Sequence, residues 1–361
     1  MLEIYLPIVQ VNVDIFLLLF LSLLVGVLSG LFGVGGGFLM TPFLIFMGIP
    51  PVYAVPNEVN NILATSVSGS LTHWFKNTLD YKMGFMVVCG GIVGTTMGMM
   101  SFSYFSGIGK ISTIISLLYM YLLAIVGTLM LIDALRESRN KKKVKKKLHE
   151  HNWFQGLPFR MRFPKSKLYE SAFTPILLGL VVGFVASMMG IGGAFLMVPA
   201  MIYIVGMPVK LIPGTSLFVT IFISAIVTVL HAFNYGSIDL FLVIPLIFGS
   251  IIGVQLGQKL GQYLDSTHLK SLFALLLCSV AVAIAYDSFF REKNKFIDTQ
   301  VAKSDLNSLA EFSLKFNNEA PFLYGALAIL LAIFFGGLTA WLRKVVSDLR
   351  NKKLVDIKVT K

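Results

Sequence analysis

The sequence predicts an all-α polytopic membrane protein made of two tandem repeats that are inverted relative to each other, each with about five helical elements and a Gly-rich break, plus one extra C-terminal transmembrane helix. Three observations predict this fold: 56% of the 361 residues are hydrophobic, only 13% are charged, and the apolar residues lie in long charge-free blocks. A membrane-spanning helix needs about 20 mainly apolar residues. Uninterrupted apolar blocks are typical of helices, because the strands of a membrane barrel would alternate. This composition excludes an ordinary soluble enzyme.

The repeat is visible in two glycine-rich segments that lie 157 positions apart. Residues 33–42 and 190–199 share the pattern Gly-x-Gly-Gly-[Gly/Ala]-Phe-Leu-Met-x-Pro. Further matches follow downstream, where His73 corresponds to His231. The glycines that recur with a spacing of four lie on one helix face, which is typical of close helix packing in membranes. These glycines are Gly90, Gly94 and Gly98 in the first copy and Gly249, Gly253 and Gly257 in the second.

The predicted organisation follows from the repeat. Each copy contains five apolar elements. The second element has about 13 residues, which is short for a membrane-spanning helix, so it either crosses the membrane fully or is re-entrant. The predicted segments are a first repeat at 1–135, a basic linker at 136–169, a second repeat at 170–288, a polar loop at 289–319, an extra transmembrane helix at 320–342 and a basic tail at 343–361. The elements are predicted at about 13–33, 37–48, 58–76, 83–105 and 111–134, and again at about 171–190, 194–206, 215–233, 239–262 and 268–288.

Basic segments predict the orientation in the membrane. Residues 141–147 read Lys-Lys-Lys-Val-Lys-Lys-Lys, and the tail from Arg343 to Lys361 holds seven Lys and Arg residues. Positive loops are retained on the cytoplasmic side, and both segments lie there only if an even number of crossings separates them. Five crossings in the second copy plus the extra helix give six, an even number. Because five is odd, the two copies have opposite orientations in the membrane, and the N-terminus lies outside. The N-terminus lacks a basic region, so no cleaved signal peptide is expected.

The glycine clusters are the strongest candidates for a binding site. Several adjacent glycines interrupt a helix, and at membrane depth such breaks occur where they face protein or a water-filled cavity. Freed N–H groups at the start of the following half-helix favour an anion, and paired breaks in duplicated halves indicate a transporter site. The alternative is that the glycines only permit tight packing. The candidates are Gly33, Gly35, Gly36 and Gly37, with Gly190, Gly192, Gly193 and Ala194.

A polar stripe on the third element of each copy is the second candidate. Ser66, Ser70 and His73 have the same spacing as Ser224, Thr228 and His231, which places each trio on one helical face. Polar side chains at membrane depth line a bundle interior or an aqueous path. Hydroxyls and imidazole donate to an oxyanion without carrying a full charge. The alternative role is hydrogen bonding between helices.

Four residues after the proline-containing bends complete the predicted site. Asn57 and Glu58 match Thr215 and Ser216 in position, and they are expected to cap the third element or to close the substrate site. His73, His231 and Glu58 are the candidates for proton coupling, because histidine changes charge near neutral pH. The two cysteines, Cys89 and Cys278, lie in apolar blocks and are expected to be buried thiols without a disulfide.

With these motifs, the sequence resembles the TauE/SafE family of membrane permeases, also called the sulfite exporter family. The resemblance covers nearly all of residues 15–288 and includes Gly214-Thr215-Ser216-Leu217. It implies a carrier with two similar halves in the inner membrane of a bacterium or archaeon, and sulfur-containing anions such as sulfite, sulfonates and thiosulfate as substrates. The first copy departs from this pattern with Pro56-Asn57-Glu58, and the extension 289–361 is untypical.

The expected function is therefore a multi-pass secondary permease of the plasma membrane that moves a small sulfur-containing anion and is not an enzyme. No cofactor and no metal are expected, and no phosphate-loop motif is present for ATP-driven transport. The expected partners are the anion and the lipid bilayer, without nucleic acid, and a homo-oligomer stays open. The alternatives are a membrane scaffold or sensor subunit and a carrier for an amino acid or a metal.

Overall fold

The chain folds as a helical bundle, which confirms the predicted all-α polytopic fold class. The computed structural model describes residues 3–32, 37, 39–139, 159–208, 210–260, 266–290 and 308–359. Within these ranges there are twelve helices and two β-hairpins, and five of the helices are long and apolar enough to cross a membrane. The helices are α1 (Ile15–Phe32), α2 (Met40–Phe46), α3 (Pro51–Phe75), α4 (Tyr81–Gly107), α5 (Ile111–Arg139), α6 (Phe173–Met189), α7 (Ala194–Tyr203), α8 (Ile212–Tyr235), α9 (Leu240–Leu260), α10 (Ser266–Phe290), α11 (Ser308–Glu319) and α12 (Pro321–Val359).

A short β-hairpin, absent from the predicted organisation, precedes α1 and another precedes α6. In the first, β1 (Glu3–Leu6) pairs antiparallel with β2 (Val11–Asp14). In the second, β3 (Arg160–Phe163) pairs antiparallel with β4 (Leu168–Ser171). Both turns begin with proline and end with a residue of positive φ, Gln10 at 60° and Lys167 at 55°. The two hairpins therefore have the same strand lengths and the same turn length.

The third and last predicted elements differ from the structure in their bounds. Helix α3 begins at Pro51, where the missing N–H of proline costs nothing, and it continues through Pro56. Asn57 and Glu58 thus lie inside α3, as Thr215 and Ser216 lie inside α8, so the prediction that they cap these helices is wrong. The predicted loop at 289–319 contains α11, and the predicted helix 320–342 continues through the tail as α12.

The glycine triplets join helices from different halves of the sequence. A Cβ on Gly90 would lie 1.8 Å from the carbonyl oxygen of Ile176, and one on Gly94 would lie 2.0 Å from that of Leu180. The residue numbers of the contacting positions increase together along α4 and α6, so the two helices are parallel. Helices α1 and α9 make the same kind of parallel contact, where Gly253 and Gly257 approach the backbone of α1. The structure therefore confirms the predicted tight helix packing at the glycine triplets.

Helices α3 and α8 cross at the centre of the bundle in antiparallel orientation. A Cβ on Gly214, near the start of α8, would lie 2.9 Å from the Cβ of His73, near the end of α3. At the other end, the Asn57 amide donates to the carbonyl of Ser237, just after α8. Helix α12 runs parallel to α3, since Asn60 donates to the carbonyl of Ala328 and Thr339 donates to Ser68.

The outer surface of the bundle is apolar. Met100 and Phe85 are among many large hydrophobic side chains exposed there, as expected for a surface that contacts acyl chains. Cys89 is exposed too, so the prediction of a buried thiol is wrong for this residue, while Cys278 is partly exposed. Both cysteines are free, as predicted.

Candidate functional site

The predicted polar stripe follows the crossing of α3 and α8. Because the helices are antiparallel, with Gly69 against Leu217 near one end and Asn57 beside Ser237 near the other, Ser66 and Ser224 both lie between these contacts, nearer to Gly69 and Leu217. The two serines are matching residues of the two sequence repeats. In order along the helix pair, the predicted side chains are His73, Ser70 and Ser66 from α3, then Ser224, Thr228 and His231 from α8.

Several buried polar atoms along this crossing have no hydrogen-bond partner within the described part of the chain. An unpaired buried polar group costs about 1–3 kcal/mol, so each one calls for an explanation, and a ligand that completes the hydrogen bonds is one. The atoms are Ser66 Oγ, Ser224 Oγ, Thr228 Oγ1 and His231 Nδ1, together with Ser187 Oγ on α6.

The two predicted histidines lie in different surroundings. His73 is partly exposed near the end of α3, where its Nδ1 is 2.9 Å from the hydroxyl of Thr78. His231 is fully buried, with its ring edge-on to Phe102 at a centroid distance of 4.7 Å. The Nε2 atom of His231 is 3.2 Å from the carbonyl oxygen of Ser187, so Nε2 carries the proton of the neutral ring and Nδ1 is an acceptor.

The second glycine cluster forms a helix break, as predicted. Gly190 ends α6 and Gly193 precedes α7, and both adopt left-handed backbone with φ of 74° and 80°. Gly192, between them, has a φ of 66°, and a Cβ there would lie 2.5 Å from Cγ2 of Ile62. Left-handed backbone costs other residues roughly 1–2 kcal/mol. The break therefore packs against α3, and α7 begins directly after it at Ala194.

The first glycine cluster is described only at its last member. Gly33, Gly35 and Gly36 lie outside the described residues. A Cβ on Gly37 would lie 1.9 Å from Cδ1 of Ile62 and 2.7 Å from Oε1 of Glu58. Gly37 and Gly192 therefore contact the same side chain, Ile62, from the two halves of the sequence. Helix α2 begins only at Met40, so Gly37 is not its first residue.

Glu58 belongs to a buried polar cluster whose other members come from helices far apart in sequence. The Nδ2 atom of Asn61 lies 3.3 and 3.2 Å from the two carboxylate oxygens of Glu58 and 2.9 Å from Oγ of Ser250 on α9. Glu58 is 0% and Asn61 2% exposed, and Asn61 Oδ1 is unpaired within the described chain. Sequence analysis missed Ser250, because this residue carries no local signal that links it to α3.

Asn57 and Thr215 make matching contacts at opposite ends of the crossing. Asn57 Oδ1 accepts from the backbone N–H of Asp239 at 2.7 Å, and Thr215 Oγ1 accepts from that of Asp80 at 3.1 Å. Both residues therefore anchor the turn that follows the neighbouring central helix. Ser216 is buried and donates to the carbonyl of Pro213 at 3.1 Å. Of the four predicted residues, only Glu58 lies at the glycine breaks.

Tyr119 on α5 holds the second break in place and was missed by sequence analysis. Its hydroxyl donates to the carbonyl of Met189, the last residue of α6, at 2.8 Å. Replacing Tyr119 by Phe leaves this buried carbonyl unpaired, so we expect a loss of about 1–2 kcal/mol of unfolding free energy in detergent solution. Tyr121→Phe is the control, because Tyr121 is exposed on the same helix. Equal effects of both changes on thermal unfolding would contradict the assigned role.

The side chains around the crossing are polar and mostly uncharged. Among the residues that the structure describes, no group of three or more His, Cys, Asp and Glu side chains is arranged to hold a metal ion. The hydroxyls, the imidazole and the helix break instead lie around two crossed central helices. A polytopic bundle with broken helices and buried polar atoms at its centre is typical of membrane transport proteins.

Comparison with known proteins identifies the family. The family model described as "Sulfite exporter TauE/SafE" matches residues 18–284, so the chain belongs to this family and is a membrane transporter of its type, which confirms the resemblance. Its relatives include two probable membrane transporter proteins of Bacillus subtilis, YjnA and YunE. YjnA is 28% identical over 72% of this chain and 95% of its own length, and YunE is 24% identical over 76% and 98%. No solved structure matches the chain.

Proposed function

We propose that the protein is a secondary transporter that carries a small sulfur-containing oxyanion, such as sulfite, a sulfonate or thiosulfate, across the plasma membrane. The observation that carries this proposal is the set of unpaired hydroxyls at the α3–α8 crossing, next to the helix break at Gly192. Hydroxyls and the first-turn N–H groups of α7 donate to oxyanion oxygens. The neutral ring of His231 accepts at Nδ1 from a protonated oxyanion such as bisulfite.

The two halves supply matching surfaces for alternating access. Ser66 on α3 and Ser224 on α8 are matching residues of the two repeats, and equivalent contacts of Asn57 and Thr215 anchor the ends of the crossing. Such matching contacts are expected of an inverted repeat that rocks around a central site. In this scheme the anion is released to either side through the path that runs from His73 to His231.

The distribution of charge supports a cytoplasmic position for the end of the bundle at Asp80, here called the Asp80 end. Positive-inside orientation places clustered Lys and Arg in the cytoplasm. The opposite end, at Asp239, carries Lys110 and Lys315 beside four acidic residues, Asp14, Asp239, Glu311 and Glu319. Among the described side chains, the Asp80 end carries three acidic residues, Asp80, Asp133 and Glu170, beside eleven basic ones: Lys76, Lys82, Arg136, Arg160, Arg162, Lys165, Lys167, Lys210, Lys259, Arg343 and Lys344.

Removing the central hydroxyls tests the site. The double variant Ser224→Ala, Thr228→Val deletes two groups that have no partner within the described chain, so the fold should persist. Each lost hydrogen bond to a charged ligand costs about 1.5–3 kcal/mol, and about 1.4 kcal/mol corresponds to tenfold in affinity. We therefore expect the half-saturating anion concentration to rise at least about tenfold. The measurement is exchange of labelled sulfite, methanesulfonate and thiosulfate in proteoliposomes.

Matched changes on the outer surface provide the control. Ser279→Ala and Thr96→Val remove hydroxyls that are exposed and bonded only within their own helices. Their half-saturating concentrations should equal that of the unaltered protein. A folded, unaltered protein that exchanges none of the three anions refutes the proposed substrate class.

A further inference from the structure

We propose that Glu58, held by Asn61 and Ser250, is a proton-binding site that couples anion transport to proton movement. This inference rests on the proposed function and selects one of the three coupling candidates. In the transport step, the Glu58 carboxylate takes up one proton to become a neutral carboxylic acid and later releases it on the other side of the membrane. The geometry of four groups carries the argument: the carboxylate, the amide, the Ser250 hydroxyl and the adjoining glycine break.

Burial makes the ionised form of Glu58 costly. The side chain is 0% exposed, and among the described residues it has no cationic partner: its bonded contact is the neutral amide of Asn61. A buried carboxylate without a cation or several donors is strongly disfavoured. Proton uptake removes this charge. Glu58 is therefore suited to hold a proton whenever the surrounding helices exclude water.

The amide of Asn61 suits both protonation states. As placed, its Nδ2 donates toward both carboxylate oxygens, which serves the ionised form. Its Oδ1 is unpaired within the described chain, so a half-turn of the amide would present an acceptor to the O–H of a protonated Glu58. The Ser250 hydroxyl, 2.9 Å from Nδ2, can then donate to the same oxygen. The same amide can thus hydrogen-bond to Glu58 in either protonation state, as donor to the carboxylate or as acceptor from the carboxylic acid.

The histidines are less suited to this role. Protonating His231 would create a positive charge beside Phe102 in a fully buried site, whereas protonating Glu58 removes a charge. His73 lies near the basic Asp80 end, where Lys76 and Arg343 oppose a further positive charge. A metal cation would need a shell of oxygen ligands, while the two Glu58 oxygens face an N–H donor.

The surroundings of Glu58 contain few groups that could compete for the proton. Helix α2 carries no titratable side chain, and Tyr119 on α5 is close enough to interact electrostatically with the carboxyl. Among the described side chains, the remaining titratable or charged groups on the elements packed against α3 are Tyr53 and His73 on α3 and Lys76 just after it, Tyr121, Asp133 and Arg136 on α5, His231 and Tyr235 on α8, Asp239 and Lys259 at the ends of α9, and Tyr324, Arg343 and Lys344 on α12.

Contact with both glycine breaks links this proton to the anion site. Glu58 Oε1 would lie 2.7 Å from a Cβ on Gly37, and Ile62, one turn further along α3, contacts Gly37 and Gly192. A change of charge and hydrogen bonding at Glu58 therefore acts on the elements proposed to hold the anion. The matching residue of the second repeat is Ser216, which holds no proton, so one proton per transport cycle is expected.

The test compares Glu58→Gln with the unaltered full-length chain in proteoliposomes that take up labelled methanesulfonate, a monovalent anion, from the external medium. One proton carried with a monovalent anion converts a pH step of about one unit into about a tenfold accumulation. We expect this accumulation in the unaltered protein and its loss in Glu58→Gln, measured relative to anion exchange without a gradient. Glu311→Gln on exposed α11 is the matched control and should behave as the unaltered chain.

The outcomes separate this proposal from the proposed function. Equal pH-driven accumulation of the anion in Glu58→Gln and the unaltered protein overturns the proton site. The proton site is also overturned if the unaltered protein accumulates the anion with a sodium gradient and not with a pH gradient. If the unaltered protein exchanges no anion, the proposed function fails. The proton site is then tested by infrared spectroscopy of the detergent-solubilised full chain. We expect a pH-dependent C=O band of a carboxylic acid in the unaltered protein and its loss in Glu58→Gln. If the unaltered protein shows no such band, the proposal is overturned.

Discussion

Replacing Gly192 by Ala is expected to destabilise the protein by about 2–5 kcal/mol and to reduce anion exchange. Two costs combine at this position. The φ of 66° is left-handed, which costs a non-glycine residue roughly 1–2 kcal/mol. The new Cβ would lie 2.5 Å from Cγ2 of Ile62, and such overpacking typically costs about 1–3 kcal/mol. Unfolding by heat or denaturant in detergent measures the sum, and proteoliposome exchange measures the effect on transport.

Two further variants separate these costs. Gly206→Ala has the same backbone requirement, with a φ of 69°, but a Cβ there meets nothing within 4 Å. It should lose only the conformational part, roughly 1–2 kcal/mol. In the double variant Gly192→Ala, Ile62→Ala the clash is absent, so the two changes should be less than additive. Additive losses would show that the break at Gly192 is not packed against Ile62 in solution.

The helix break at Gly190–Gly193 could be predicted because adjacent glycines are a local signal. What the break contacts could not be predicted, since Val55 and Ile62 lie on α3, far away in sequence. The spacing of the glycine triplets likewise predicts a smooth helix face. It does not predict the partner helix, which is α6 for the first triplet and α1 for the second. Periodicity identifies a packing face, and its partner follows only from the tertiary fold.

The start of α3 illustrates a local signal that tertiary contacts override. Pro56-Asn57 looks like a bend followed by a cap, yet the helix begins at Pro51 and passes through both residues. Inside the helix, the Asn57 amide bonds to Tyr53 and Ser237, and its oxygen accepts from Asp239. These long-range bonds use the polar side chain that the local pattern assigns to a cap.

The two hairpins were missed because each strand has only four residues, and only β2 and β3 alternate polar and apolar residues. Their role is visible only in three dimensions. The turn of the first hairpin donates the N–H groups of Ile8 and Val9 to Asp239, which precedes α9. The turn of the second donates the N–H and hydroxyl of Ser166 to Asp80, which precedes α4. Each hairpin thus binds a helix start in the opposite half of the sequence.

Asp239→Ala is therefore expected to destabilise the protein by about 2–5 kcal/mol. The change removes the acceptor for the buried N–H of Ile8 at 2.9 Å and for that of Phe241 at 3.0 Å. Each donor left unpaired in a buried site costs about 1–3 kcal/mol. Asp80→Ala should have a similar effect, since it frees the N–H groups of Met83 and Ser166. Thermal unfolding in detergent measures both losses.

An exposed aspartate provides the matched control. Asp14 accepts from the N–H of Phe16 at 2.9 Å, two residues on, as Asp239 does from Phe241, but this contact is open to solvent. Water replaces the lost acceptor, so Asp14→Ala should cost no more than about 1 kcal/mol. If Asp14→Ala and Asp239→Ala are equally destabilising, the hairpin contact contributes nothing beyond an ordinary helix cap. A large effect of Asp239→Ala with none of Asp80→Ala would show that the two hairpins are not equivalent anchors.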